Sequence, residues 1–123
     1  MGRFLNPDNS AFQVALNSEI YVDKTGLLEY TNRVMGTKQG YICNSRPRRF
    51  GKSITADMLT AYYSRGCSSR EMFEKLNIGK STDFLEHLNL YDVIHLDIQW
   101  FLANCEDKNK VVQFITKSVL DEL

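Results

Sequence analysis

Cysteine is scarce in this chain of 123 residues: Cys43, Cys67 and Cys105 are odd in number, widely spaced and include no Cys-x-x-Cys pair. That argues against a disulfide framework or a zinc site and makes reduced thiols in a cytosol the expectation. No apolar run approaches the roughly 20 residues of a membrane span. The start, Met1 to Pro7, has no apolar core of a secretion signal. Leu120 stands where a C-terminal retention signal needs Lys or His, and Asn6 where myristoylation expects Ser or Thr. Net charge is missing as well, because 15 Lys and Arg balance 15 Asp and Glu, so the chain as a whole has no general affinity for nucleic acid. Repeats and low-complexity linkers are absent. These absences leave a cytoplasmic chain with no membrane partner and enough length for one core.

What is present is local. Tyr41-Ile42-Cys43 reads as a short apolar strand, Asn44 to Phe50 as a basic loop, and Gly51-Lys52-Ser53 as the junction to a helix in which Ile54, Met58, Ala61 and Tyr62 recur at helical spacing. This is the layout of a phosphate-binding loop. A nucleoside triphosphate needs inward-pointing backbone N–H groups, an ammonium at the β- and γ-phosphates, and a hydroxyl on Mg²⁺. The amides from Arg48 through Arg49, Phe50 and Gly51 to Ser53 would supply the first, Lys52 the second and Ser53 the third. Arg46 occupies the place of the usual first glycine, and Pro47 removes a donor, so side-chain charge from Arg46, Arg48 and Arg49 beside Lys52, with at most one arginine on phosphate, would compensate for part of the lost cradle. The same basic cluster also suits nucleic-acid phosphates or an acidic surface.

A second Gly-Lys-Ser, at Gly79-Lys80-Ser81, follows a helix end rather than a buried strand and reads as a decoy. Elsewhere, a short helix is expected at Phe12 to Leu16 and another at Gly26 to Val34, stopped by Gly36. Tyr21 to Thr25 has two readings, capping and packing or a border of an adenine site. Gly66 reads as a C-terminal cap, and Ser68-Ser69-Arg70-Glu71 as a capping box opening a helix at Glu71 to Leu76. A short helix follows around Thr82 to His87. Tyr91 to Ile98 reads as a buried strand, and Val111 to Leu123 as an amphipathic helix still running at the last residue. Strand, helix, short helices and strand imply a right-handed crossover and a parallel sheet. Asp97, at the end of the second strand, is the one candidate acid for Mg²⁺, with a strand-end structural role as its alternative. His87, His95 and Trp100 read as packing residues.

Four blocks together, Tyr21-Val22-Asp23-Lys24-Thr25, Ser45 to Ser53, Ala61 to Cys67 and Tyr91 to Asp97, resemble the predicted AAA-ATPase-like domain of bacteria and archaea, over nearly the whole chain. Arginine in place of the first glycine resembles that family's own loop. The resemblance implies a P-loop NTPase-like α/β fold, a parallel sheet flanked by helices, and ATP with Mg²⁺ as ligands. It also implies a nuclease-like domain of the PD-(D/E)XK type downstream in longer relatives. On it, residues 1–123 are the N-terminal part of a single such domain, incomplete at 123 residues, with a leader and helix at 1–37 and the P-loop unit at 38–123.

The function expected is therefore ATP binding through a variant P-loop, with hydrolysis left open because Asp97 is the single candidate acid. The alternatives are a basic module that grips nucleic acid and an interaction module whose open sheet edge pairs with another copy.

Overall fold

Asp8 and Asp23 each begin a helix in the same way. In the computed structural model, which describes residues 2–18, 21–43 and 52–123 (52 and 53 by backbone alone), Asp8 Oδ1 accepts from Ser10 N and Ser10 Oγ at 3.1 and 2.6 Å. Asp23 Oδ1 accepts from Thr25 N and Thr25 Oγ1 at 2.9 and 2.6 Å. A short carboxylate that satisfies an N–H two residues on turns the backbone into its first helical turn. Helix α1 then runs Ser10–Leu16 and α2 runs Gly26–Val34. Gly36, at φ +77°, takes the left-handed conformation that ends α2.

Helix α3 spans Lys52–Tyr63, α4 Arg70–Glu74, α5 Phe84–His87, α6 Ile98–Asn104 and α7 Val111–Glu122. Short 3₁₀ turns lie at Lys38–Gly40, Asn77–Lys80 and Lys108–Lys110. Helix α1 lies against α3, and α6 lies against α7. The main core gathers Phe12, Leu28, Met58, Tyr62, Phe73, Ile78 and Phe84 around the C-terminal half of α3. Phe12 stacks on Phe73 at 5.2 Å between ring centroids, and Tyr62 meets Phe73 edge-on at 5.4 Å. Burying each such ring stabilises the fold by about 1.5–3 kcal/mol, and the offset and edge-on geometries add to it.

Two tyrosines carry hydroxyls into this core, and a closed polar network receives them. Tyr63 donates to Asn32 Oδ1 at 2.6 Å and lies 2.5 Å from Thr31 Oγ1. Asn32 donates to the Tyr62 hydroxyl at 3.1 Å, which donates to the Phe84 carbonyl at 2.7 Å. Burial pushes the Tyr63 hydroxyl far above the ordinary tyrosine range. A second aromatic cluster joins the leader to α6 and α7, with Phe4 5.0 Å from Phe101 and Phe101 5.4 Å from Phe114.

The expected parallel sheet is not formed: the described residues are helical, with two isolated bridges, Leu5 to Ile94 and Ser64 to Tyr91, and no strand. Residues 91–95 do alternate, with Tyr91, Val93 and His95 half-buried and Asp92 and Ile94 exposed, so their pattern is that of a strand. Their backbone groups, however, are taken by other partners. Tyr91 N donates to Tyr63 O and Tyr91 O accepts from Arg65 N, at the end of α3. Val93 O accepts from Asn6 N at 2.7 Å and His95 N donates to Phe4 O at 2.8 Å, in the leader. Each pairing stops at a single bridge, because Ser64 follows directly on α3 and Asn6 turns the leader at φ +49°. The strand expected at Tyr41-Ile42-Cys43 is likewise absent, and Tyr41 is 95% exposed.

Smaller expectations change too. The capping box read from Ser68 to Glu71 is not formed: the N-cap of α4 is Ser69, one residue later, and its hydroxyl donates to Ala61 O at 2.7 Å. Gly66 is required by proximity: a Cβ there would fall 2.1 Å from the Asn6 carbonyl oxygen. Ile54, read as part of the packing stripe of α3, is 44% exposed, while Thr55 is buried.

Candidate functional site

The site residues read from the sequence divide in two. Arg48, Arg49, Phe50 and Gly51 lie outside the described residues, while Lys52 and Ser53 are the first two residues of α3. A helix of 12 residues concentrates unpaired N–H groups and positive potential at its start, the local chemistry that favours an anion. The apparent second copy is different. Gly79-Lys80 closes a 3₁₀ turn in which a Cβ on Gly79 would fall 2.3 Å from Glu74 O, so this glycine serves a close backbone approach.

Asp97 sits at the N-terminus of α6 and its Oδ1 accepts from Trp100 N at 3.3 Å. It also lines a cavity of about 230 Å³ with Arg3, Phe4, Asp57, His95 and Trp100. Helix α3 contributes Asp57 to that cavity, one helical turn after Ser53. Asp57 is half-buried and makes no hydrogen bond to any described residue. Burial raises its pKa, and the nearby His95 opposes the rise. His95 Nδ1 lies 2.9 Å from Thr60 Oγ1, again on α3. Arg3 stacks its guanidinium 4.0 Å over the Trp100 ring, an arrangement that fixes the plane of the cation while leaving its N–H edge available.

The cavity therefore gathers two carboxylates, an imidazole and a guanidinium beside the helix that Lys52 opens. Among the described residues no group of three or more His, Cys, Asp or Glu side chains is placed to hold a metal ion. Two carboxylates in one cavity still fit Mg²⁺, which is usually bound through one or two protein carboxylates with phosphate oxygens and water. Arg3 and Asp57 were not legible as site residues. Asp57 left one trace in the sequence, as the single acid of α3, four positions after Ser53.

A second, apolar cavity of about 380 Å³ lies between α2, residues 42–43 and α3, lined by Leu27, Thr31, Ile42, Thr55 and Leu59 among others. Tyr21 to Thr25 serve packing and capping, since Asp23 Oδ2 accepts from Asn77 N at 2.8 Å and Thr25 Oγ1 from Ile78 N at 3.0 Å. Among the described residues no helix is long and apolar enough to cross a membrane.

The start of α3 at Lys52 and the cavity lined by Arg3, Asp57, His95 and Asp97 together make up the candidate site. Residues 10–122 match the family model described as predicted AAA-ATPase, and the chain belongs to that family. No curated protein and no solved structure matches it.

Proposed function

We propose that the chain binds ATP with Mg²⁺ through the variant loop that closes at Gly51-Lys52-Ser53. The observation that carries this reading is the position of Lys52 and Ser53 at the start of a 12-residue helix, directly after the basic sequence from Arg46 to Gly51, in a member of the predicted AAA-ATPase family. Lys52 meets the β- and γ-phosphates, Ser53 and Asp97 hold Mg²⁺ with the phosphate oxygens, and the amides from Arg48 to Ser53 surround the β-phosphate. Mg²⁺ supplies charge neutralisation between the phosphates when it is bound. Asp97 would help hold the metal while keeping its other role, capping α6.

Calorimetric titration with Mg-ATP tests the reading. Lys52→Ala should weaken ATP binding by about tenfold or more, the loss of one or more charge-assisted hydrogen bonds, with an unchanged circular dichroism spectrum. Undiminished affinity in the folded variant overturns the P-loop assignment. Binding to single-stranded or duplex DNA that falls steeply with salt and ignores Mg²⁺ would instead identify a nucleic-acid module.

A further inference from the structure

Arg3 and Phe4 line the cavity of Asp57, His95 and Asp97, and one side chain at the far end of the chain holds residues 3–5 in place. Glu122, in the last turn of α7, accepts from Arg3 N at 2.8 Å through Oε1. Its Oε2 accepts from Phe4 N at 2.9 Å and Leu5 N at 2.8 Å. Three successive amides converging on one carboxylate make a backbone nest, whose oriented N–H groups select an anion and form charge-assisted bonds. Gly2 is part of the fit. A Cβ there would lie 2.7 Å from Glu122 Oε2 and 2.8 Å from Leu5 O, too close for any side chain without a shift.

The opposite edge of this leader bonds the segment that carries His95, through His95 N to Phe4 O and Asn6 N to Val93 O. The leader is thus a strap between α7 and the cavity. Aromatic contacts follow the same route, from Phe4 to Phe101 and on to Phe114 of α7. A neutral amide at position 122 would turn an N–H₂ group toward the nest, and a shorter acid would not span it, so the carboxylate at this length is what the geometry requires.

We propose that Glu122 is a positioning residue for the cavity: its carboxylate fixes the strap so that Arg3 lies over Trp100 beside His95 and Asp97, and so couples the cavity to α7. The coupling does not depend on which ligand the cavity serves. It therefore stands apart from the ATP reading, and either can fail alone.

Trp100 is the single tryptophan of the chain, which gives the test its probe. In the full chain, Glu122→Gln and Gly2→Ala should each raise acrylamide quenching of Trp100 about twofold, as expected of a locally opened segment. The amides of Arg3, Phe4 and Leu5 should be protected from hydrogen exchange in the unmodified protein and lose that protection in both variants, while α3 amides keep theirs. Gln113→Ala, an exposed change on α7, should alter neither readout. Folded variants with unchanged quenching and exchange overturn the proposal. So does an equal loss of protection throughout α3, which would make Glu122 a general stabiliser. Free exchange at residues 3–5 in the unmodified protein also overturns it, and that measurement needs no variant to fold.

Discussion

Replacing Asn89 with alanine should be among the most damaging changes that leave the aromatic core untouched. Its backbone sits at φ +55°, and its side chain bonds in three directions. Nδ2 donates to Ala61 O at 3.0 Å and to Ser64 O at 2.7 Å, while Oδ1 accepts from Ser69 N at 2.8 Å. One residue thus closes the C-terminal end of α3 and begins the turn into α4. Each bond contributes about 1 kcal/mol net, and a left-handed backbone costs alanine about 1–2 kcal/mol more than a residue that tolerates it. Asn89→Ala should therefore lose about 4 kcal/mol, a large part of the roughly 5–15 kcal/mol that holds a domain folded. Asn89→Gly separates the two causes. It relieves the backbone but still lacks the three bonds, so it should fall about 1 kcal/mol short of the alanine loss. Urea denaturation followed by circular dichroism measures both. Alanine and glycine variants within about 0.5 kcal/mol of the unmodified protein would refute the reasoning. Equal losses in the two would refute the backbone part alone.

Two further outcomes are expected. Lys80→Ala should leave ATP affinity within about twofold, because an exposed charge beyond a Debye length of about 8 Å is largely screened, and a large loss in a calorimetric titration would move the phosphate site to the second Gly-Lys-Ser. The hydrogen bonds from Leu5, Phe4 and Arg3 hold the Glu122 carboxyl below its usual range, so its stabilisation is full above the pH where a free glutamate titrates, about 4.3, and is lost as pH falls through the lower folded value. Exchange at Arg3, Phe4 and Leu5 should accelerate over that acid window in the unmodified protein and show no such transition in Glu122→Gln.

The helices were largely legible because their signals are local. Gly26 to Val34 and its Gly36 stop, the helix after Gly51, and the amphipathic run from Val111 all follow from periodicity and end residues within a few positions. The sheet was not. Alternation in 91–95 reports which side chains are buried, and it does so correctly, yet it carries no information about the backbone partners, which here are the leader and the end of α3. The capping box from Ser68 to Glu71 misled for a related reason: the helix begins one residue later, after Ser69, and a buried carbonyl of α3 takes the Ser69 hydroxyl. Lys52, Ser53 and Asp97 were candidates from the motif and an expected strand end, but that strand is not formed and Asp97 instead caps α6. Arg3 was not a candidate, since nothing in a leader of mixed polarity announces that it will be carried against Trp100 from nearly a hundred residues away. Family membership over residues 10–122 agrees with the sequence blocks that suggested it.

The tyrosine network in the core has a consequence at the other end of α3. Hydrogen bonds are directional, so Tyr62 and Tyr63, engaged by Asn32 and Thr31 of α2, admit a single rotation of α3 about its own axis. Apolar packing alone would tolerate some turning. An α-helix is torsionally stiff, and each residue advances it by 1.5 Å through a fixed angle, so a phase set at Tyr62 is carried about 15 Å back to the Cα of Lys52. Two hydroxyls buried in the core thus fix the azimuth of the backbone at the start of α3. Removing them with phenylalanines would preserve the volume of the core while freeing the helix to turn.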